Sequence, residues 1–118
     1  MWVSDGVVVP VHIAHHDWKE PVSIQSYARG LQGSTYGEWK CLQRLWYEES
    51  RWNYLSVNSD SGATGIPQAL PASKMRIEGD DYLSNPFTQV RWGLRYLGER
   101  YDGSACIAVA HKDKRGWY

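Results

Sequence analysis

The residue best placed to do chemistry is a carboxylate among aromatics. Glu48 and Glu49 follow each other in Leu45-Trp-Tyr-Glu-Glu-Ser-Arg-Trp52, and helical periodicity separates them. On a wheel of about 100° per residue, Leu42, Leu45, Trp46 and Trp52 share one arc, and Glu49 falls in its middle. Lys40, Gln43, Arg44, Tyr47 and Glu48 fall mostly outside it, so Glu48 reads as a surface residue. A carboxylate on an apolar face must be met by a buried donor or kept neutral, because an unpaired buried charge is too costly. Periodicity alone leaves Glu49 open between an ion-pair partner and a proton-transfer catalyst.

A second candidate is the stretch Asn58-Ser-Asp-Ser-Gly-Ala-Thr-Gly-Ile-Pro-Gln-Ala-Leu-Pro71. No Gly-Lys-Ser/Thr follows its glycines, so it is not a phosphate loop. Its small polar residues suit a wall that approaches a ligand closely. His12, His15 and His16 with Asp17 lack the spacing of HExxH and read as a solvated segment, so no metal site is expected. Cys41 and Cys106 allow one disulfide or two free thiols, and their separation excludes a zinc knuckle or CxxC motif. A bridge would imply an oxidising compartment.

Elements must position these groups. Val22 to Leu31 reads as a helix ending at Gly30 or Gly33, a dense helical pattern runs from Glu38, and Pro71 to Met75 opens a short helix. Asn85-Pro86 caps a strong helix with the stripe Phe87, Val90, Leu94, Leu97 and Tyr101. Gln89, Trp92 and Tyr96 recur on its other side, with Gly93 beside them, so this helix is central or borders a cleft. Glu78, Asp80 and Asp81 read as a solvated acidic exit, and Met1 to Ile13 as a short strand or extended arm.

At 118 residues the chain accommodates one core, and 13 Lys+Arg against 13 Asp+Glu leave no net field to attract nucleic acid or anionic membrane. The longest apolar run, Val7 to Ala14, falls far short of the roughly 20 residues of a membrane span. Met1 to Gly6 carries Asp5 and no basic residue, which is unlike a signal peptide. Any export signal is therefore expected to have been trimmed, or export to take another route. Seven Trp and eight Tyr against one Phe exceed what a small core needs and point to a binding groove.

Trp39-Lys-Cys-Leu42, Leu45 to Asn53, Ser61 to Pro71, Asn85-Pro-Phe-Thr-Gln89, Trp92-Gly-Leu-Arg-Tyr96, Arg100-Tyr101 and Gly116-Trp-Tyr118 match a known pattern in order and spacing. Residues 39 to 118 resemble the transglycosylase-like SLT domain of the lysozyme superfamily, in the form common among actinobacterial cell-wall proteins and their phages. Residues 1–37, an arm and short helix, match loosely, and 38–118 are read as the catalytic domain. The resemblance implies a mainly α, lysozyme-like single domain, as in goose-type lysozyme and soluble lytic transglycosylases, with a Gly-rich active-site loop. It implies that Glu49 is the catalytic acid and base, that Gln68 and Tyr96 line the cleft, and that Ser50, Asn58, Ser61, Gly62, Ala63, Gly65 and Ile66 border substrate. It pairs Cys41 with Cys106, positions where the subgroup often carries cysteines, while Val109 stands where relatives more often have an aromatic.

The implied substrate is a peptidoglycan glycan strand, cleaved by a monomer without cofactor or metal. The implied location is extracellular or cell-wall associated, or within a phage virion or lysin. Glycosidases usually employ two carboxylates. Here the resemblance implies one, with the N-acetyl group of N-acetylmuramic acid assisting departure and its 6-hydroxyl closing onto C1 to give a 1,6-anhydro sugar. Trp46 and Leu42 are expected to keep Glu49 protonated, Gln68 and loop N–H groups to orient the N-acetyl group, and Tyr96 to hydrogen-bond ionised Glu49. The rival readings are an inverting hydrolase with Asp60 activating water, a carbohydrate-binding module and a docking domain of a phage tail. Retention of Glu49 argues against the last two. A mechanism without a Lewis acid predicts that activity persists in a chelator; loss in EDTA with recovery on adding zinc would contradict it.

Overall fold

The structure, a computed structural model, describes residues 18–118. The expected N-terminal arm and the cluster of His12, His15, His16 and Asp17 lie outside the described residues. The remainder is mainly helical, and among the described residues extended pairing is confined to the isolated bridges Val57 to Thr64 and Thr64 to Ala69.

Helix α1 (Pro21–Gln32) starts on a proline and stops at Gly33, whose left-handed backbone sends its N–H to the Arg29 carbonyl. Helix α2 (Tyr36–Ser50) is capped by Thr35, which accepts from the Glu38 N–H. It ends on two consecutive left-handed residues, Arg51 (φ 57°) and Trp52 (φ 59°). Trp52 therefore reaches the core by a turn that folds it back, rather than by continuing the helical arc. Its Nε1 donates to the Gln43 carbonyl at 3.0 Å, and its ring meets the edge of Trp46 at 5.3 Å.

A 3-10 segment, Ala72–Glu78, precedes helix α3 (Pro86–Arg100), which Asn85 caps as expected. Helix α4 (Ala105–Arg115), capped by Ser104, carries no strong periodic signal in the sequence because its buried face is only Ala105, Ala108 and Val109. Asp81 is exposed as expected of a solvated exit, whereas Glu78 departs from it. Glu78 pairs with Arg95 at 2.7 Å and Arg91 at 3.6 Å, and Asp81 accepts from Thr88 Oγ1 at 2.7 Å and Asn85 Nδ2 at 2.8 Å.

One core holds these helices together. Ile24 and Ala28 of α1 join Leu42, Leu45 and Trp46 of α2, Val90 and Leu97 of α3 and the small face of α4. Full burial of Leu42 and Leu45 contributes about 2 kcal/mol apiece. Helix α1 packs on α3, where Phe87 stacks on Tyr27 at 4.3 Å, so the first helix is built into the same core as the segment after residue 37. Ala69, Met75, Tyr82 and Trp92 form a smaller cluster under the loop that follows α2.

Helices α2 and α4 are clamped at one end. Glu38 on α2 caps α4, accepting from the Ala105 N–H and the Ser104 hydroxyl, each at 2.7 Å, where an anion also meets the positive end of the helix dipole. One turn along, Cys41 and Cys106 form a disulfide, as the resemblance implied. The bridge spans 65 residues, so its reduction should cost about 4 kcal/mol in the chain-entropy account and lower the melting temperature clearly. Two free thiols titrated in the non-reduced native protein would contradict this.

Candidate active site

Glu49 lies one residue from the end of α2, its side chain 17% exposed, in the wall of a cavity of about 400 Å³. The other walls are Asn58, Ser61, Ala63 and Pro67 to Leu70 of the loop, Trp92 and Tyr96 of α3, Lys74, and Gly116 to Tyr118 at the end of the chain. Glu49 is the sole side-chain carboxylate among these lining residues. Burial raises its pKa above the ordinary carboxylate value; Lys112 of α4, with Nζ 3.7 Å from Oε2, works against that rise, and the neighbouring Glu48 charge reinforces it. Burial is the leading cause, so the raised direction prevails.

The loop is held to the helices by three side chains. Ser50 donates from Oγ to the Ile66 carbonyl at 2.8 Å. Gln89, fully buried on α3, accepts from the Ile66 N–H at 2.9 Å and donates to the carbonyls of Tyr82 and Tyr54 at 2.9 and 3.1 Å. Tyr118 donates to the Pro67 carbonyl at 2.6 Å and accepts from Trp46 Nε1 at 3.1 Å. Two glycines permit this seating. A Cβ at Gly65, where φ is +79°, would stand 2.5 Å from Gln89 Oε1, and one at Gly93 would collide with the Trp46 ring.

The structure brings some expected residues to the cavity and assigns others elsewhere. Asn58, Ser61, Ala63, Gln68 and Tyr96 line it with Glu49. Ser50, Gly65 and Ile66 do not, because they are buried in the attachment of the loop to α2 and α3, and Gly62 sits exposed at a turn closed by its N–H to Asn58. Most loop N–H groups are already engaged and so do not offer the expected cradle either. Those of Asp60 and Ser61 bond Asn58 Oδ1, that of Ala63 bonds Ser61, and those of Thr64, Gly65 and Gln68 bond carbonyls of Ala69, Ser56 and Gly65.

Gln68 turns its amide onto the Gly65 and Ser56 carbonyls at 3.0 and 3.3 Å. Tyr96 does not donate to Glu49. Its ring stacks on Trp92, and its hydroxyl donates to the Tyr118 main-chain oxygen at 2.6 Å. Asp60 lies exposed on the loop and outside the lining.

Lys112, Lys74, Trp117 and Tyr118 are site residues that sequence reasoning missed. Gly116-Trp-Tyr118 belonged to the matched pattern, but nothing linear ties it to Glu49. Burial foremost, then the nearby Glu49 charge, pushes the Tyr118 hydroxyl well above its ordinary pKa, so it stays a neutral donor. Trp117 is half exposed on the rim, with His111 against its ring at 4.5 Å and the Arg100 guanidinium at 5.4 Å.

The architecture agrees with a comparison to known families, in which the model described as Transglycosylase SLT domain matches residues 26–110. That is well over half of the chain, which belongs to this family, and the match includes most of α1. A search of curated proteins finds no match, and neither does a search of solved structures. Membership establishes a glycan-cleaving, transglycosylase-type function directed at peptidoglycan at the level of the family. The disulfide fits an oxidising, extracellular setting, and no helix among the described residues is long and apolar enough to cross a membrane.

Proposed function

We propose that the protein is a peptidoglycan lytic transglycosylase that cleaves the β-1,4 bond between N-acetylmuramic acid and N-acetylglucosamine with Glu49 as its one acid and base. The observation that carries this reading is the single side-chain carboxylate in the cavity, partly buried and raised in pKa. Protonated Glu49 donates to the glycosidic oxygen as the C1–O bond breaks, and the acetamido oxygen of the muramic residue shares the charge arising at C1. Glu49, now ionised, removes the proton of the 6-hydroxyl as that oxygen bonds to C1. The proton lost in the first step is regained in the second, and no water is consumed. Inverting hydrolysis instead needs a second Asp or Glu across the sugar to activate water, and none lines the cavity with Glu49 among the described residues.

Aromatic surface supports the same reading. Trp92, Tyr96 and Trp117 line the cavity, and aromatic rings are a usual complement of a sugar ring. The enzyme works as a monomer on this reading, and a peptidoglycan substrate implies action outside the cytoplasm, on cell wall or from a phage particle that attacks it. Mass analysis of sugars released from purified peptidoglycan tests the reaction. Muropeptides ending in 1,6-anhydro-N-acetylmuramic acid are expected, and reducing ends would replace this reading with hydrolysis.

A further inference from the structure

Glu48 was set apart from its neighbour by periodicity, yet the fold reconnects the two through α4. Lys112 Nζ lies 3.3 Å from Glu48 Oε1 and 3.7 Å from Glu49 Oε2, so one ammonium serves both carboxylates. Its side chain is 22% exposed and that of Glu49 is 17% exposed, so solvent screens this arrangement less than an open surface pair. Glu48 is fixed from its other side by Arg44 Nε at 2.9 Å, and Arg44 by Asp113 of α4 at 2.8 Å. The result is a chain of alternating charge, Asp113, Arg44, Glu48, Lys112 and Glu49, that ends at the cavity.

We propose that Lys112 is a positioning residue of the reaction: it is the counter-cation that Glu49 receives once its proton has gone to the leaving group, and Glu48 sets how much of that cation Glu49 can draw on. The inference rests on Glu49 being the acid and base. Before reaction Glu49 is neutral, and Lys112 is satisfied by the closer Glu48. After proton donation Glu49 becomes an anion in a partly buried wall, and the ammonium is already within ion-pair distance. The new charge is met without a large rearrangement, which is how a preorganised site lowers the cost of charge separation.

The other titratable and charged groups around Glu49 leave this division to Glu48 and Lys112. Tyr118 and Tyr96 have hydroxyls whose pKa values burial raises, so they remain neutral while a carboxyl titrates. Lys74 stands on the 3-10 wall of the cavity, His111 and Arg100 lie against Trp117, and Arg44 and Asp113 connect through Glu48. Hydrogen bonding from Arg44 foremost lowers the Glu48 pKa below its ordinary value, so Glu48 is already ionised where Glu49 titrates.

The signs are opposite for the two partners. Lys112 favours ionised Glu49, so Lys112→Met should raise the Glu49 midpoint. Glu48 disfavours that anion and competes for Lys112, so Glu48→Gln should lower it. The test is a titration of the Glu49 side-chain carboxyl by carbon NMR, run beside the pH dependence of kcat/KM on purified peptidoglycan. Expected are shifts of about one pH unit, upward for Lys112→Met and downward for Glu48→Gln, with Lys112→Arg close to the parent. Because catalysis starts from protonated Glu49, the alkaline limb of kcat/KM should follow each shift.

Midpoints that stay put, or that move in the same direction in both variants, overturn the proposal, as does a limb that fails to follow them. Parent protein that releases no anhydro sugar, with midpoints and limb moving as stated, would defeat the transglycosylase reading while leaving Lys112 as the counter-cation of Glu49.

Discussion

Glu49→Gln should abolish nearly all turnover while leaving a folded protein that still binds glycan. The amide keeps the size of the side chain but has no proton of suitable acidity to give and no basic oxygen to reclaim one. A loss of at least ~10² to 10⁴ in kcat is expected, the range associated with general acid and base catalysis. Stability should move the other way at neutral pH. The raised pKa means that folded Glu49 holds its proton more tightly than the unfolded chain does, so ionisation opposes folding, and stability declines as pH rises from the ordinary carboxylate range through the raised value. Glu49→Gln removes that decline and should melt at or above the parent temperature. Asp60→Asn is the control, since Asp60 lies outside the lining and should be dispensable. An inactive Asp60→Asn with reducing ends among the products would point to hydrolysis, and an active Glu49→Gln would return Glu49 to a structural role.

The distribution of what the sequence made legible follows from how each signal arises. Helices α1, α2 and α3 were readable because large apolar residues recur along them and Gly33, Asn85 and Pro86 mark their ends. Glu49 was conspicuous for the same reason, as a carboxylate inside an apolar period. Helix α4 was not, because a face of Ala105, Ala108 and Val109 is too small to stand out. With α4 unseen, Lys112 could not be placed beside Glu49, and Glu48 looked idle.

The loop shows a different limit. Its composition suggested a surface that receives a ligand, and several of its side chains do line the cavity. Hydrogen bonds within the loop and to its anchors, however, depend on left-handed residues such as Gln68 (φ 57°) and on partners far away in sequence. Composition can announce a tight loop, but it cannot say which N–H groups remain free.

Gln89 holds that loop in place, and its replacement should be among the most damaging single changes in the domain. Gln89→Leu is close in size but has neither donor nor acceptor. It would strand the Ile66 N–H and the carbonyls of Tyr54 and Tyr82 at a position with no solvent exposure. At about 1–3 kcal/mol for each buried group left unpaired, the expected loss is roughly 3 to 9 kcal/mol, against a total stability of about 5–15 kcal/mol for a domain of ordinary stability. Gln89→Glu separates polarity from shape. The carboxyl can still accept from Ile66, but when ionised it faces two carbonyl oxygens with no proton to offer, and when neutral it can satisfy just one of them. Burial should raise its folded pKa above the unfolded value, so the variant should be weakest at neutral pH and regain part of its stability as pH falls. Chemical denaturation of both variants at several pH values measures this directly. Midpoints equal to the parent would mean that Gln89 is a bystander, and that Ser50 and Tyr118 alone keep the loop against the helix that carries Glu49.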